Sequence, residues 1–199
     1  TGSSSGSGGI LTAVYNDGSD ALVTVAETGR LAMTADSRVA YGLWNYAGRV
    51  NVAGGDVSLT NASGANSATI RNDYTGSNSV EISASSEITV EANTGVKAYA
   101  ISNNDSLDIK NSFISASGSA SIGLFNNTNG TTTFTVTENP EDNITAGDLA
   151  GYGSQVYGII GGMYSVYNYG AFTMTTTLDS ARYSGGNLEN APVMYLGGT

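Results

Sequence analysis

The 199-residue chain contains no cysteine and no histidine. Without them the protein has no disulfide bridge, no thiolate nucleophile, no imidazole base and few of the usual zinc ligands. These absences exclude many hydrolase and metalloenzyme mechanisms. We therefore predict a non-enzymatic protein with no catalytic residue, no metal ion and no cofactor.

Charge is also scarce, because charged residues make up only 12% of the sequence, with 7 basic against 17 acidic side chains. The resulting net charge of -10 repels phosphate backbones, so we predict no nucleic-acid partner. The surface must consist largely of small neutral polar residues. Such a surface is atypical of cytosolic enzymes and indicates an extracellular protein.

Long apolar stretches are missing too, and no segment approaches the roughly 18 consecutive apolar residues of a membrane helix. We expect no membrane insertion by this segment. The opening TGSSSGSGG lacks the basic and apolar regions of a signal peptide, and its composition predicts a flexible Gly/Ser-rich segment over residues 1–9. We expect residues 10–199 to form a single domain of a mature piece of a longer protein.

The sequence does contain short runs of alternating apolar and polar residues, such as VEIS, SLDIK and TFTVT, which predict β-strands. Helical periodicity is interrupted throughout by Gly, Ser, Thr and Asn. The strands follow a repeated order. A phrase of the form small residue, aliphatic residue, any residue, Asn occurs as AVYN (13–16), GLWN (42–45), TIRN (69–72), AISN (100–103), GLFN (123–126) and SVYN (165–168).

A turn and an alternating apolar pair follow each of these first strands, and we interpret the pair as a second strand. The pairs are Val23 and Val25, Val50 and Val52, Val80 and Ile82, Leu107 and Ile109, Phe134 and Val136, and Phe172 and Met174. A third strand is predicted in the first four units, at Leu31 and Met33, Val57 and Leu59, Ile88 and Val90, and Phe113 and Ile114.

Units of 23 to 31 residues from Asn to Asn leave no room for a crossover helix. The pattern therefore predicts an all-β fold, a right-handed parallel β-helix with three strands per coil and about six to seven coils. One interval is oversized, because 42 residues separate Asn126 from Asn168. Near residues 138–161 we expect either a protruding loop or an irregular extra coil in which VYGIIG is a degraded first strand.

The asparagine that ends each first-strand phrase is predicted to be structural. It follows the buried aliphatic residue at a bend, where Asn tolerates left-handed backbone angles better than other non-glycine residues. Stacked Asn side chains can also hydrogen-bond to one another as a ladder. The predicted ladder consists of Asn16, Asn45, Asn72, Asn103, Asn126 and Asn168.

Repeats such as YGLWNYAGRVNVAGGDVSL and AYAISNNDSLDIKNSFISASG resemble the passenger domains of bacterial autotransporter-type surface adhesins over roughly residues 13 to 180. The resemblance lies in repeat order and composition, which other secreted β-helices share. It implies a right-handed parallel β-helix that is secreted or displayed on the bacterial cell surface. It transfers no catalytic residue to this sequence.

An enzymatic alternative is a degenerate polysaccharide-active β-helix. A hydrolase of that group would have a cluster of neighbouring aspartates together with a His and an Arg/Lys pair. A lyase would need calcium-binding acidic residues beside a basic residue. Here Arg71 and Lys110 are isolated, and the aspartates lie singly on different coils, as is typical of solvated charges. These aspartates are Asp36, Asp56, Asp73, Asp105 and Asp108.

A calcium-binding loop is a second alternative, on an acidic segment within the oversized interval. Its spacing matches no EF-hand and no nonapeptide calcium repeat, so we favour a plain solvated loop. The acidic residues are Glu138, Glu141, Asp142 and Asp148.

Aromatic residues recur at the outward position of the first strand, between the buried aliphatic residue and the Asn. Down the coils this position reads Tyr15, Trp44, Arg71, Ser102, Phe125 and Tyr167, with Tyr46 and Tyr169 just past the bend. Aromatic groups dominate contact energetics and stack with Arg. We predict a ligand-binding face formed by Tyr15, Trp44, Tyr46, Arg71, Phe125, Tyr167 and Tyr169; the alternative is that these residues only stabilise the sheet.

The third face is smooth by contrast, and a second solenoid could approach it closely. Its outward positions are Ala32, Ser58, Thr89 and Ser115, with Thr34, Thr60 and Glu91 at strand ends. On the second face the outward positions are Thr24, Asn51, Glu81, Asp108, Thr135 and Thr173. The two carboxylates interrupt the regular threonine ranks that ice binding would need.

The sequence thus predicts a surface adhesin segment whose partner is a host surface protein, a glycan or another copy of itself. A purely structural stalk or fibre-forming repeat module is the alternative.

Overall fold

The computed structural model describes residues 2–5, 9–36, 39–92, 96–136, 158–176 and 195–196. Regular structure in these ranges is entirely β-strand, and they hold no helix long and apolar enough to cross a bilayer. The strands are β1 (Gly2–Ser5), β2 (Ile10–Val25), β3 (Arg30–Asp36), β4 (Val39–Ala53), β5 (Asp56–Ala62), β6 (Ser67–Asn72), β7 (Ser79–Ser83), β8 (Glu87–Ala92), β9 (Ala98–Asn103), β10 (Ser106–Lys110), β11 (Phe113–Ser117), β12 (Ile122–Asn126), β13 (Thr131–Val136), β14 (Gly158–Ile160), β15 (Tyr164–Asn168), β16 (Ala171–Thr176) and β17 (Tyr195–Leu196).

The strands form two sheets in which neighbours pair in parallel. The six-stranded sheet runs β1-β3-β5-β8-β11-β14, and the eleven-stranded sheet runs β16-β13-β10-β7-β4-β6-β9-β12-β15-β17 with β2 beside β4. Successive strands in each sheet come from successive passes of the chain, so the molecule is an all-β parallel solenoid of about four turns. The three strands per coil and the six to seven coils stay predictions.

Aliphatic residues at equivalent positions of successive passes form the core. Pairing aligns the first-strand residues in one row: Val14, Leu43, Ile70, Ile101, Leu124 and Val166. Leu43, Ile70, Ile101 and Leu124 have no solvent-accessible surface. Burying such a side chain contributes roughly 1.5 to 3 kcal/mol, so this row is a major source of stability.

The predicted register is wrong in two strands. In β13 the residue opposite Leu107 is Thr132, and the residue opposite Ile109 is Phe134, two positions from the predicted Phe134 and Val136. The alternation of polar and apolar residues cannot distinguish two registers that differ by two residues, because both place the same residues on the same face. Thr132 is accepted in the interior because its hydroxyl lies 2.9 Å from Oδ1 of Asn126.

In β11 the residues that align with Ile88 and Val90 are Ile114 and Ala116 instead of the predicted Phe113 and Ile114, although Phe113 is buried as well. Phe113 lies opposite Glu87, at the start of the strand. The small Ala116 was overlooked because it carries little apolar signal.

The segment VYGIIG does not supply a first strand. Its described part, Gly158–Ile160, pairs with Phe113–Ser115 of β11 and so belongs to the six-stranded sheet of third strands. The acidic residues proposed for calcium, from Glu138 to Asp148, lie outside the described residues. The predicted division into residues 1–9 and 10–199 and the irregular region near 138–161 stay predictions.

Candidate functional site

The six asparagines that end the first strands are stacked and buried, with exposed fractions between 0% and 8%. In each of the first five, Nδ2 donates a hydrogen bond to Oδ1 of the next asparagine in the row, at 2.7 to 2.9 Å. The second Nδ2 hydrogen reaches backbone carbonyls; Asn72, for example, donates to the carbonyl of Ser106 at 3.0 Å. The side chains therefore form a continuous polar line beside the apolar core.

The backbone of these asparagines differs from the prediction. The positive φ angles among described non-glycine residues are at Thr28, Asn61, Asn66, Ala84, Ser85 and Asn111, and none is at a ladder position. Asn occupies the ladder because one short side chain both donates and accepts in line. Asparagines with left-handed backbone angles do occur elsewhere, at Asn61, Asn66 and Asn111.

The predicted outward positions of the first strand also form one row. Strand pairing joins Tyr15 to Trp44, Trp44 to Arg71, and so on through Ser102, Phe125 and Tyr167. We call this row the aromatic column. Neighbouring members lie on adjacent parallel strands, about 4.8 Å apart, which is the distance that ring contacts require.

The first half of the column is an aromatic cluster around Trp44. Its ring centroid lies 5.0 Å from Tyr15, 5.2 Å from Tyr41 and 6.1 Å from Tyr46, all edge to face. Tyr15 and Tyr46 also contact each other at 5.9 Å. Four aromatic rings from two passes of the chain therefore pack as one unit.

Arg71 continues the column with a cation in place of a ring. Its guanidinium carbon lies 4.8 Å from the centroid of Tyr41 and 5.3 Å from that of Trp44. The guanidinium donates to the Tyr41 hydroxyl and, at 2.8 Å, to Asp73. Burial alone would lower the pKa of Arg71, but the hydrogen bond to Asp73 and the neighbouring oxygens raise it, so Arg71 stays charged.

Asp73 links two members of the column. One carboxylate oxygen accepts from Nε of Arg71 at 2.8 Å and the other from Nε1 of Trp44 at 2.7 Å. The sequence indicated an isolated Arg71, but the structure pairs this residue with Asp73. The side chains are 34% exposed at Arg71 and 18% at Asp73, so this pair is partly shielded from water.

The second half of the column is a stack of rings. Phe125 lies between Tyr99, at 5.0 Å, and Tyr167, at 5.6 Å, with interplanar angles of 21° and 25°. Tyr164 stacks on Tyr167 at 5.3 Å, and Nζ of Lys97 lies 6.0 Å from the Tyr167 centroid. Like the first half, this cluster pairs aromatic rings with one cation.

A second outward row, which the sequence analysis missed, completes the face. It contains Tyr41, Ala68, Tyr99, Ile122 and Tyr164. Tyr41 and Leu43 are two residues apart yet belong to different clusters, so alternation breaks at Gly42. The two rows compensate in size: Ala68 accompanies the long Arg71, and Tyr99 accompanies Ser102. The sequence did contain a signal for this second row, because a Tyr or Ile lies three residues before the column residue in four of the repeats.

Only part of this face is accessible. Tyr41 and Tyr99 are buried, and burial raises the pKa of Tyr99. Trp44, Phe125 and Tyr167 are half-buried, whereas Tyr15, Tyr46 and Tyr169 are 50%, 45% and 40% exposed. The hydroxyls of Tyr167 and Tyr169 lie 2.7 Å apart, and this contact raises the pKa of Tyr169. A ligand could therefore reach the tyrosines at the two ends most directly.

Two of the aspartates interpreted as solvated are structural. Asp73 holds Trp44 and Arg71, as described. One oxygen of Asp105 accepts hydrogen bonds from the backbone amides of Thr75, Gly76 and Asn78, at 2.9 to 3.1 Å. Asp105 thereby fixes the loop between β6 and β7, and within the described ranges no group of three acidic residues converges as a metal site.

The smooth third face lies as predicted, with Ala32, Ser58, Thr89 and Ser115 in one half-buried row. At its edge the hydroxyls of Thr34 and Thr60 are 3.0 Å apart. On the second face Asp108 pairs with Thr133 instead of the predicted Thr135, because of the register of β13. That row reads Thr24, Asn51, Glu81, Asp108, Thr133 and Thr173.

A pH effect is expected where Asp56 lies opposite Glu87 on neighbouring strands of the third face. Partial burial and the Asp56 carboxylate raise the pKa of Glu87 above 4.5, opposed by Arg30. Because the folded state binds the proton more tightly than the unfolded chain, this group makes stability fall as pH rises above 4.5. We expect Glu87→Gln to raise stability at pH 7 by about 0.5 kcal/mol and to flatten this fall.

Urea denaturation at several pH values measures the effect. Glu91→Gln is the matched control, because Glu91 is exposed on the same strand opposite Ser117. Equal shifts in both variants would contradict the role of the Asp56 and Glu87 pair.

Comparison with known proteins gives no relative. No protein-family model matches the sequence, and neither a curated protein nor a solved structure matches it. Fold and surface chemistry are therefore the basis for a function.

Proposed function

We propose that the chain is a non-enzymatic segment of an extracellular bacterial surface adhesin of the autotransporter type. In this proposal it is a right-handed β-helix with three strands per coil and about six to seven coils. Its partner is a host surface protein, a glycan or another copy of itself. The observation that carries the proposal is the aromatic column, which together with Lys97 concentrates aromatic rings and two cations on one face of a chain that has only 7 basic residues.

The column has the composition of an interaction surface. Tyr, Trp and Arg are the residues most enriched at the energetic centres of interfaces, because they offer large, rigid contact area with a polar edge. The column is half-buried from Trp44 to Tyr167, whereas Tyr15 at its end and the adjoining Tyr46 and Tyr169 are exposed. A partner that covers these ends would bury the partly exposed rings as well.

We expect the double variant Trp44→Ala and Tyr167→Ala to weaken binding by about tenfold or more, since each ring contributes about 0.5 to 1.5 kcal/mol beyond its area. Binding would be measured to epithelial cells, to purified matrix proteins and to the protein itself by sedimentation. Circular dichroism checks the fold, and Tyr15→Ser tests the same face by removing one exposed ring while the Trp44 side chain is kept.

Met174→Ala is the control, because Met174 is 56% exposed on β16, the last strand at its end of the eleven-stranded sheet. Unchanged binding by Tyr15→Ser and by a folded double variant would overturn a role for the aromatic column.

A structural stalk is the second candidate, and one observation favours it. Asp73 accepts hydrogen bonds from Arg71 and Trp44, so these polar groups at the centre of the column already have partners within the protein. A stalk requires such internal hydrogen bonds for its stability and needs no ligand. Reproducible binding to any component that the Tyr15→Ser change abolishes would exclude it.

The smooth third face offers a separate route to self-association. We expect Ser58→Arg together with Ser115→Arg to abolish dimers if copies meet there, because two long charged side chains prevent close approach. Sedimentation of wild type and variant decides between the faces: loss of dimers in Tyr15→Ser alone would place the contact on the aromatic column instead.

A further inference from the structure

Five side chains form a line along the corner that follows the asparagine ladder. They are Tyr46, Asp73, Asn104, Asn127 and Tyr169, each directly after one of the last five ladder asparagines, and we call them the corner row. Asp17, which follows Asn16, is outside this line because the register shifts there and Asp17 pairs with Ala47. The backbone amides of the last four donate to carbonyls of ladder asparagines on the preceding pass, at 2.8 to 3.0 Å. The row is therefore stacked as regularly as the ladder itself.

The two ends of the corner row are equivalent tyrosines. Tyr46 is 45% exposed and stands at 87° to the ring of Trp44, and Tyr169 is 40% exposed and stands at 88° to the ring of Tyr167. Both rings are supported by the aromatic column and still accessible. Each end thus offers a fixed aromatic surface of the same orientation relative to the column.

The three residues between them are polar and half-buried. Asp73 is neutralised by Arg71, and Oδ1 of Asn127 accepts from the amide and hydroxyl of Thr128. Oδ1 of Asn104, at the centre, has no hydrogen-bond partner among the described residues. This oxygen is shielded from solvent, so a ligand would contact the rest of the half-buried Asn104 side chain and not Oδ1.

The dimensions of the row indicate the shape of the ligand. Four strand steps separate Tyr46 from Tyr169, which corresponds to about 19 Å at the usual spacing of about 4.8 Å. One pyranose unit of an extended chain is comparable in length with one such step. A linear oligosaccharide of about four units would therefore reach from one tyrosine to the other.

Charge and backbone pairing favour a neutral glycan over other ligands. The net charge of -10 repels acidic polymers, and Arg71, the cation beside the row, is paired with Asp73. A peptide that added to this corner as a strand would need free backbone groups, but the amides of the row are already bonded between passes. Side-chain amides and tyrosine rings suit sugar hydroxyls and the apolar faces of sugar rings.

We propose that the corner row binds a neutral linear oligosaccharide of about four units along the solenoid axis. A sugar ring packs on Tyr46 at one end and on Tyr169 at the other, and the hydroxyls of the central units accept hydrogen bonds from the side-chain NH2 groups of Asn104 and Asn127. This inference rests on the proposed adhesin function and specifies its ligand class.

Calorimetric titration with neutral β-linked oligosaccharides of one to six units tests the proposal. The probes are cello-, chito-, xylo- and manno-oligosaccharides. For at least one series we expect affinity to rise with length up to about four units and then to level off. Tyr46→Ala and Tyr169→Ala should each weaken tetramer binding by about tenfold.

A dimer discriminates further, because it can use only one tyrosine at a time. Either single change should alter dimer binding by no more than about twofold, and the double change should abolish it. Asn104→Ala should also weaken tetramer binding, and Met174→Ala, on β16, should change nothing. Affinity independent of length, or tetramer binding that both tyrosine changes leave intact, would overturn the proposal.

The cell and matrix binding described above separates the two proposals. If no oligosaccharide series binds but Tyr15→Ser still weakens adhesion to a matrix protein, the glycan site is wrong and the adhesin proposal stands. If neither glycan nor cell surface binds, both are wrong.

Discussion

Asn72→Ala is expected to lower the free energy of unfolding by about 3 to 5 kcal/mol. The change removes a side chain that accepts from Asn45 at 2.9 Å and donates to Asn103 at 2.8 Å and to the carbonyl of Ser106 at 3.0 Å. Asn72 is 1% exposed, so water cannot replace these bonds. Each orphaned buried group costs about 1 to 3 kcal/mol. For a chain of this size the melting temperature should fall by about 10 °C.

Thermal and chemical denaturation followed by circular dichroism measure this loss. Asn104→Ala is the matched control, because Asn104 is half-buried and its Oδ1 has no partner among the described residues. We expect that control to leave stability unchanged or to raise it slightly, because the change removes a buried oxygen that has no partner. At the end of the ladder, Asn16→Ala should cost less than Asn72→Ala, because Asn16 donates to Asn45 without accepting from a preceding ladder residue. Equal losses in Asn72→Ala and Asn104→Ala would show that the ladder contributes no special stability.

The parallel solenoid could be predicted because one phrase keeps its spacing from pass to pass. Leu43, Ile70 and Ile101 each precede an asparagine by two residues, and strand pairing places them in one buried row. Where polar and apolar residues alternate ambiguously, the same reasoning failed. TTTFTV fits two registers, and the hydrogen bond of Thr132 to Asn126, which decides between them, joins residues on different strands.

The proposed binding face could be predicted from the sequence only as the row of outward positions that forms the aromatic column. Which residues support each other depends on contacts between passes: Tyr99 fills the space beside Ser102, and its ring stacks on Phe125 of the next pass. The break of alternation at Gly42 conceals this second row from sequence patterns. An added Cβ at Gly42 would lie 2.7 Å from the carbonyl oxygen of Thr69, so the close approach of two passes requires glycine there.

Asp73→Ala is expected to have the second largest effect on stability, a loss of about 2 kcal/mol. It leaves Nε1 of Trp44 and Nε of Arg71 without the carboxylate that accepts from them at 2.7 and 2.8 Å. A hydrogen bond to a charged group contributes about 1.5 to 3 kcal/mol, and the 34% exposure of Arg71 places the cost toward the lower part of that range. The melting temperature should fall by about 4 to 8 °C.

Trp44 reports the change directly, because it is the only tryptophan in the chain. Loss of its partner should expose the indole to water and shift its fluorescence emission to longer wavelength. Asp108→Ala is the control, since Asp108 is exposed on the second face opposite Glu81 and Thr133. Unchanged emission and stability in Asp73→Ala would mean that the column is held by ring packing alone. The arginine and tryptophan would then be available to a partner, and the strongest argument for a purely structural stalk would be lost.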